Sequence, residues 1–118
     1  MINLKFRGKC IKTGNWVYGG GIDSQRDTPI IINHGERYAV DAESVGMFTG
    51  ISDYGSKMYE GDIYQVESFG VCTVVIEPYY GVCFDVNQGG QLTLSNAIQL
   101  GLECKKIGNT TDNKDMVN

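Results

Sequence analysis

The sequence is poor in proline and histidine and contains no long apolar run. Among its 118 residues there are two prolines and one histidine, and its uninterrupted apolar stretches are only a few residues long. A membrane-spanning helix needs about 20 consecutive apolar residues, so none is predicted. Met1 leads directly into a charged segment, without the apolar core and the small-residue cleavage site of a secretory signal. We therefore expect a cytoplasmic protein.

The single histidine, His34, limits the catalytic chemistry that the chain could perform. A serine or cysteine nucleophile would need this imidazole as its base, and no Gly-x-Ser-x-Gly motif is present. Glu60 and Asp62 form the other candidate pair, as the carboxylates of a hydrolase or of a metal site. Because Gly61 between them is typical of a turn, we favour carboxylates that accept hydrogen bonds from nearby backbone N–H groups. The sequence predicts a non-enzymatic protein without catalytic residues.

The four cysteines are widely and irregularly spaced. They form neither a C-x-x-C pair nor a zinc-binding pattern with the histidine. In a reducing cytoplasm such cysteines most often act as small buried hydrophobic residues. No metal and no cofactor are therefore expected at Cys10, Cys72, Cys83 and Cys104.

Glycine and tyrosine, in contrast, are abundant. Sixteen glycines supply the positive φ angles of tight turns, and seven tyrosines suit half-buried strands. Alternating apolar and polar residues between turn signals predict a series of short strands, and Gly19-Gly20-Gly21 predicts a break or a bulge. The predicted strands cover residues 2–7, 16–18, 30–32, 37–40, 62–66, 71–77, 82–86, 91–94 and 102–107.

Helical structure is expected to be minor. Asp41 is placed to cap one helical turn that ends near Ser44, and residues 95–100 are compatible with either a strand or a short helix. We predict a mainly β fold, a single small domain of antiparallel hairpins over residues 1–108. These hairpins would form a partly closed SH3-like barrel with an N-terminal hairpin and at most one or two short helical turns. Residues 109–118 are polar, and we expect a frayed C-terminal tail.

The charge distribution leaves two interpretations of the first strand. The formal net charge of -4 weakens the case for nonspecific binding to nucleic acid or to a membrane. Lys5, Arg7 and Lys9 nevertheless alternate, which places them on one face of a strand. We favour a solvated face that discourages edge pairing. The alternative is a nucleic-acid-binding barrel, in which this face lies beside aromatic side chains that stack with bases. The aromatic candidates are Trp16, Tyr18, Tyr64, Tyr79 and Tyr80.

Two adjacent aromatic residues lie in a predicted turn, where both side chains rarely become buried. An exposed pair at Tyr79 and Tyr80 predicts a contact surface for a protein or a base. Self-association would cover this pair and the exposed edges of the sheets, which favours a homo-oligomer. The complete candidate interaction surface comprises Lys5, Arg7, Lys9, Trp16, Tyr79 and Tyr80.

Three blocks of the chain share their order and spacing with a known family. They comprise residues 5–7 with 13–19, residues 45–51 with Asp53, Gly55 and Tyr59-Glu60-Gly61-Asp62-Ile63, and residues 107–109. In these blocks the chain resembles the YopX family, whose members are small proteins of bacteriophages and prophages. It departs from the family at Gly8-Lys9-Cys10, where a bulkier aromatic stretch is usual, and after Asn109, where an aromatic residue and a proline are usual.

The resemblance implies a phage or prophage origin, a β-rich fold and a bacterial cytoplasm. It supplies no catalytic residues, because the family has no established activity. We expect an accessory protein that acts through protein contacts or self-assembly, with a second copy or a host or phage protein as its partner. The alternative is a small nucleic-acid-binding module that uses the basic first strand and exposed aromatic residues. No membrane partner is expected.

Overall fold

A computed structural model describes residues 5–25, 27–52 and 57–117. The chain divides into two compact units, the first ending at Phe48 and the second beginning at Thr49. In the described residues, two antiparallel sheets belong to the first unit and one belongs to the second. The prediction of one domain over residues 1–108 stays a prediction.

The first unit consists of two three-stranded antiparallel sheets. One sheet has the order β2-β1-β6 and the other has the order β3-β4-β5. A single 3-10 turn, Ala42–Ser44, precedes β6, and the side chain of Asp41 caps it by accepting a hydrogen bond from Glu43 N. The strands are β1 Phe6–Lys9, β2 Trp16–Gly19, β3 Gly21–Asp23, β4 Ile30–Asn33, β5 Glu36–Ala39 and β6 Gly46–Met47.

The two sheets of the first unit approach each other closely at a glycine. A Cβ atom on Gly19 would lie 2.3 Å from the carbonyl oxygen of Ile32, so only glycine fits at this position. Ile31 and Val40 are fully buried in the same unit. The Gly19-Gly20-Gly21 segment was predicted as a break, and it joins β2 to β3 where the chain passes from one sheet to the other.

The second unit is built on a five-stranded antiparallel sheet with the order β10-β9-β8-β7-β11. The helix α1, Leu94–Gln99, follows β10 directly and is capped by the Thr93 hydroxyl, which accepts a hydrogen bond from Asn96 N. A second 3-10 turn covers Lys114–Met116. The strands are β7 Asp62–Val66, β8 Gly70–Glu77, β9 Gly81–Val86, β10 Gln91–Thr93 and β11 Cys104–Asn109.

One face of the five-stranded sheet carries the core of the second unit. The period of two in a strand places alternate side chains on this face, and each of these strands contributes to it. Leu94 and Ala97 of α1 complete the cluster, which explains why the ambiguous segment 95–100 becomes a helix rather than a strand. The sheet contributes Tyr64, Val66, Cys72, Val74, Phe84, Leu92 and Cys104 to this core.

The outer strands of the five-stranded sheet are poorly suited to further pairing. Strand β10 has only three residues before α1 begins. Strand β11 carries Lys105 and Lys106, and its register with β7 shifts between Lys106 and Gly108. Short strands, lysines and bulges are the features by which natural sheets protect their edges.

The predicted mainly β fold of antiparallel hairpins is confirmed, including the N-terminal hairpin of β1 and β2. The predicted partly closed barrel is not confirmed. In the described ranges the sheets are open, and each sheet has two end strands. Strand patterns reveal local pairing but not closure, which depends on contacts between distant strands. The described part of the chain contains three short helical segments instead of the predicted one or two. Within the segment 109–118, Asn109 accepts hydrogen bonds from Thr111 N and Asp112 N.

Candidate interaction surfaces

The basic residues of β1 share a face with an aromatic residue of β2. Lys9 pairs with Trp16 and Arg7 pairs with Tyr18 in the antiparallel register, so all four side chains lie on the same side of the sheet. The guanidinium carbon of Arg7 lies 4.7 Å from the centroid of the Trp16 ring, and Lys9 Nζ lies 5.9 Å from it. Both distances are within the range of a cation–π interaction.

This face is only partly the solvated stripe that the sequence predicted. Arg7 is 6% exposed, Lys9 is half-buried, and Lys5 is exposed just before β1 begins. The expectation of a solvated face is therefore wrong for Arg7. Arginine is readily buried against an aromatic ring because its guanidinium is planar and weakly hydrated. That preference is invisible in the alternation of charges.

The aromatic candidates fall into different environments. Trp16 is half-buried beside its two cations, and Tyr18 is partly exposed. Tyr64 was a candidate for base stacking, but it is fully buried in the core, with its ring centroid 5.6 Å from that of Phe84. That prediction is wrong, because strand alternation does not reveal which face of β7 is covered.

Tyr79 and Tyr80 are the most exposed aromatic residues described. They lie in the turn that joins β8 to β9, and their side chains are 93% and 71% exposed. Gly81, which follows them, has a φ of 73°, a conformation that favours glycine. The predicted exposed aromatic pair is thus confirmed, at the end of the longest strand, β8, which has eight residues.

Of the two candidate carboxylates Glu60 and Asp62, Asp62 has a structural role. Asp62 is 1% exposed, and its Oδ2 accepts a hydrogen bond from Tyr59 N at 2.8 Å. The predicted hydrogen bond from the backbone is confirmed for this carboxylate. No sequence pattern pointed to Lys106, whose Nζ lies 3.1 Å from the same oxygen and also donates to the carbonyl oxygen of Lys57 at 2.7 Å.

All four cysteines are buried free thiols, which confirms the expectation for the strand cysteines Cys72 and Cys83. Burial raises the pKa of Cys72 to about 11 and also raises the pKa of Cys83. Cys10 differs, because hydrogen bonds from the side chain and backbone of Thr13 lower the pKa of its thiol. His34 is exposed in the turn between β4 and β5.

Among the residues that the structure describes, no three His, Cys, Asp or Glu side chains are grouped closely enough to hold a metal ion. In the same part of the chain, no helix has the length and apolar character needed to cross a bilayer.

The candidate surface therefore separates into two parts. Arg7, Lys9 and Trp16 come together on the first unit, with Lys5 just before the same strand, whereas Tyr79 and Tyr80 belong to the second unit. Two residues of the three blocks that resemble a known family, Asp53 and Gly55, lie outside the described residues.

No protein-family model, no curated protein and no solved structure matches the chain.

Proposed function

We propose that the protein is a non-enzymatic interaction module that binds another protein through the turn between β8 and β9. The observation that carries this proposal is the exposure of two consecutive tyrosines, Tyr79 and Tyr80, at 93% and 71%. Tyrosine is enriched at protein interfaces and among the residues that dominate their binding energy. A tight hairpin turn presents the pair at a small cost in conformational entropy.

Size and polarity support a contact with protein. Each tyrosine can bury about 150–250 Å² when it is covered. Glu77, at the end of β8, accepts a hydrogen bond from Gln91 Nε2 at 3.0 Å, which adds a polar border close to the aromatic pair. An aromatic centre with a polar rim is the usual composition of a protein interface.

The biological setting of this proposal depends on the sequence alone. From the resemblance to the YopX family we propose an accessory protein of a phage or prophage in a bacterial cytoplasm. The partner would be a second copy of the chain or a host or phage protein.

The test compares the wild type with the double variant Tyr79→Ser/Tyr80→Ser. Light scattering at micromolar concentration measures self-association, and affinity capture from a nuclease-treated bacterial lysate measures binding to other proteins. We expect the double variant to lose either the oligomer or a stoichiometric partner, with affinity reduced at least about tenfold. Ile11→Ser/Met47→Ser, which removes two other exposed apolar side chains, is the matched control. A wild type that neither self-associates nor captures a partner would refute the proposal.

A second candidate function is binding of single-stranded nucleic acid by the first unit. It is favoured by the arrangement of Lys9 beside Trp16, with exposed Lys5 just before the same strand. The burial of Arg7 counts against it, since a guanidinium beneath a ring is poorly placed to contact phosphate. Titration of labelled oligonucleotides at low salt tests it. Binding that weakens steeply with salt and disappears in Lys5→Glu/Lys9→Glu would support this function, and an unchanged anisotropy in the wild type would exclude it.

A further inference from the structure

A groove lies at the other end of the five-stranded sheet from the tyrosine pair. Strand β8 runs from the β7–β8 turn to the β8–β9 turn, so the two features are separated by about 25 Å of extended strand. The groove has a volume of about 590 Å³ and is lined by Gln65, Glu67, Leu102, Glu103, Cys104 and Lys105.

Two backbone segments fix the shape of this groove. Glu67 N donates to the carbonyl oxygen of Glu103 at 2.9 Å, and Glu103 N donates to the Glu67 carboxylate at 3.0 Å. These reciprocal bonds hold the end of β7 against the start of β11. The groove is therefore present before a partner binds, which lowers the entropic cost of association.

Two apolar residues contribute to the lining of the groove, and two exposed apolar residues lie close to it in the chain. Leu102 is half-buried and Cys104 is buried, and both pack in or against the core of the second unit. Leu100, two residues before Leu102, is 65% exposed, and Phe69, two residues after Glu67, is also partly exposed. Exposed apolar surface with a polar border is characteristic of interaction sites.

The charges around the groove are predominantly acidic. Glu67 and Glu103 line it together with one basic residue, Lys105. The sequence of residues 49–118 contains nine acidic and four basic side chains, whereas residues 1–48 contain five acidic and six basic ones. The groove thus lies in the acidic unit and carries an excess of one carboxylate in its own lining.

We propose that this groove binds a protein segment in which a leucine-like side chain is adjacent to an arginine or lysine. The apolar side chain packs on Leu100 and Leu102, and the cation pairs with the Glu103 carboxylate at the rim. This is a second surface with its own partner chemistry, and it does not depend on the tyrosine pair. Charge complementarity of this kind mainly determines which partner is selected.

The test measures the anisotropy of labelled hexapeptides titrated with the full chain at low salt. The probe contains two leucines and two arginines. One comparison peptide replaces the arginines with glutamates, and another replaces the leucines with serines. We expect saturable binding of the first peptide alone. Comparable binding of the serine peptide would overturn the proposal, because it would show attraction by net charge without an apolar site, and so would no binding of the first peptide.

Variants of the chain locate the binding. Glu103→Lys should weaken the affinity roughly fivefold or less, as expected for a partly exposed ion pair, and Leu100→Ser should weaken it by about fivefold through lost apolar contact. Lys105→Glu should strengthen it. Asp85→Lys is the matched control, because Asp85 is an exposed acid of the same unit outside the groove lining. A loss in Asp85→Lys equal to that in Glu103→Lys would place the binding elsewhere and overturn the proposal. Tyr79→Ser/Tyr80→Ser should leave the affinity for the peptide unchanged. The outcome of this test therefore does not depend on whether the tyrosine pair binds a partner.

Discussion

Lys106 Nζ lies 3.1 Å from the Oδ2 atom of Asp62, a carboxylate that is 1% exposed. The two residues lie on neighbouring antiparallel strands but not opposite each other, because Lys106 faces Tyr64 and Asp62 faces Asn109 in the register. The same ammonium donates to the carbonyl oxygen of Lys57. This ion pair therefore attaches the segment before β7 to the edge strand of the sheet.

Removing the ammonium should destabilise the protein strongly. Lys106→Met leaves the buried carboxylate of Asp62 without its cation, and we expect a loss of about 2–3 kcal/mol in the free energy of unfolding. Lys105→Met, one residue earlier and exposed, should change it by less than about 0.5 kcal/mol. Urea denaturation of both variants measures the difference. Equal midpoints would show that the pair contributes no stability.

The close approach at Gly19 predicts that two nearby glycines differ in how well they tolerate alanine. Gly19→Ala places a methyl group against the carbonyl oxygen of Ile32, and we expect a loss of at least about 2 kcal/mol or a failure to fold. Gly21→Ala is the control, because its Cβ would meet only Ile32 Cβ at an ordinary 3.7 Å. Thermal unfolding followed by circular dichroism compares the two. A Gly19→Ala variant as stable as Gly21→Ala would contradict the packing of β2 on β4.

The cysteines should react at different rates with an alkylating reagent. At pH 8, a pKa of about 11 leaves about one Cys72 thiol in a thousand ionised, and the thiolate is the reactive form. Cys10, with its lowered pKa, should be modified first, and Thr13→Val should slow that reaction by removing the hydroxyl that stabilises the thiolate. Mass spectrometry of the native protein over time measures each site. Modification of Cys72 before Cys10 would contradict this order.

The raised pKa of Cys72 also predicts how stability depends on pH. The thiol ionises near pH 9 in the unfolded chain and near pH 11 in the folded protein. Above pH 9 the unfolded state loses the proton first, so the contribution to stability present below pH 9 is lost as the pH rises toward 11. Cys72→Val should flatten this decline, measured as the urea midpoint between pH 8 and pH 10.5. An unchanged slope in the variant would assign the decline to other groups.

Local patterns in the sequence predicted most strands but not all of them. Strand β7 was predicted with its observed bounds, because its alternation and the flanking turns are local signals. Strands β3 and β6 were missed, since they have three and two residues and exist through pairing with β4 and β1. Pairing of that kind depends on residues that are distant in sequence.

The candidate interaction surfaces also combine features that the sequence predicts with features that only the fold reveals. The exposure of Tyr79 and Tyr80 followed from their position in a tight turn, which is a local property. The burial of Arg7 and the ion pair of Asp62 with Lys106 depend on residues brought together by the fold. A sequence pattern indicates the type of a side chain and its face, but it does not indicate what covers that face.

The protected outer strands of the five-stranded sheet have a consequence for assembly. Strand β10 is too short, and β11 too charged and irregular, to serve as a template for amyloid-like growth. Amyloid-like growth should therefore not start from the end strands of this sheet. Oligomers that form through this unit would be held by side-chain contacts rather than by strand pairing at these edges.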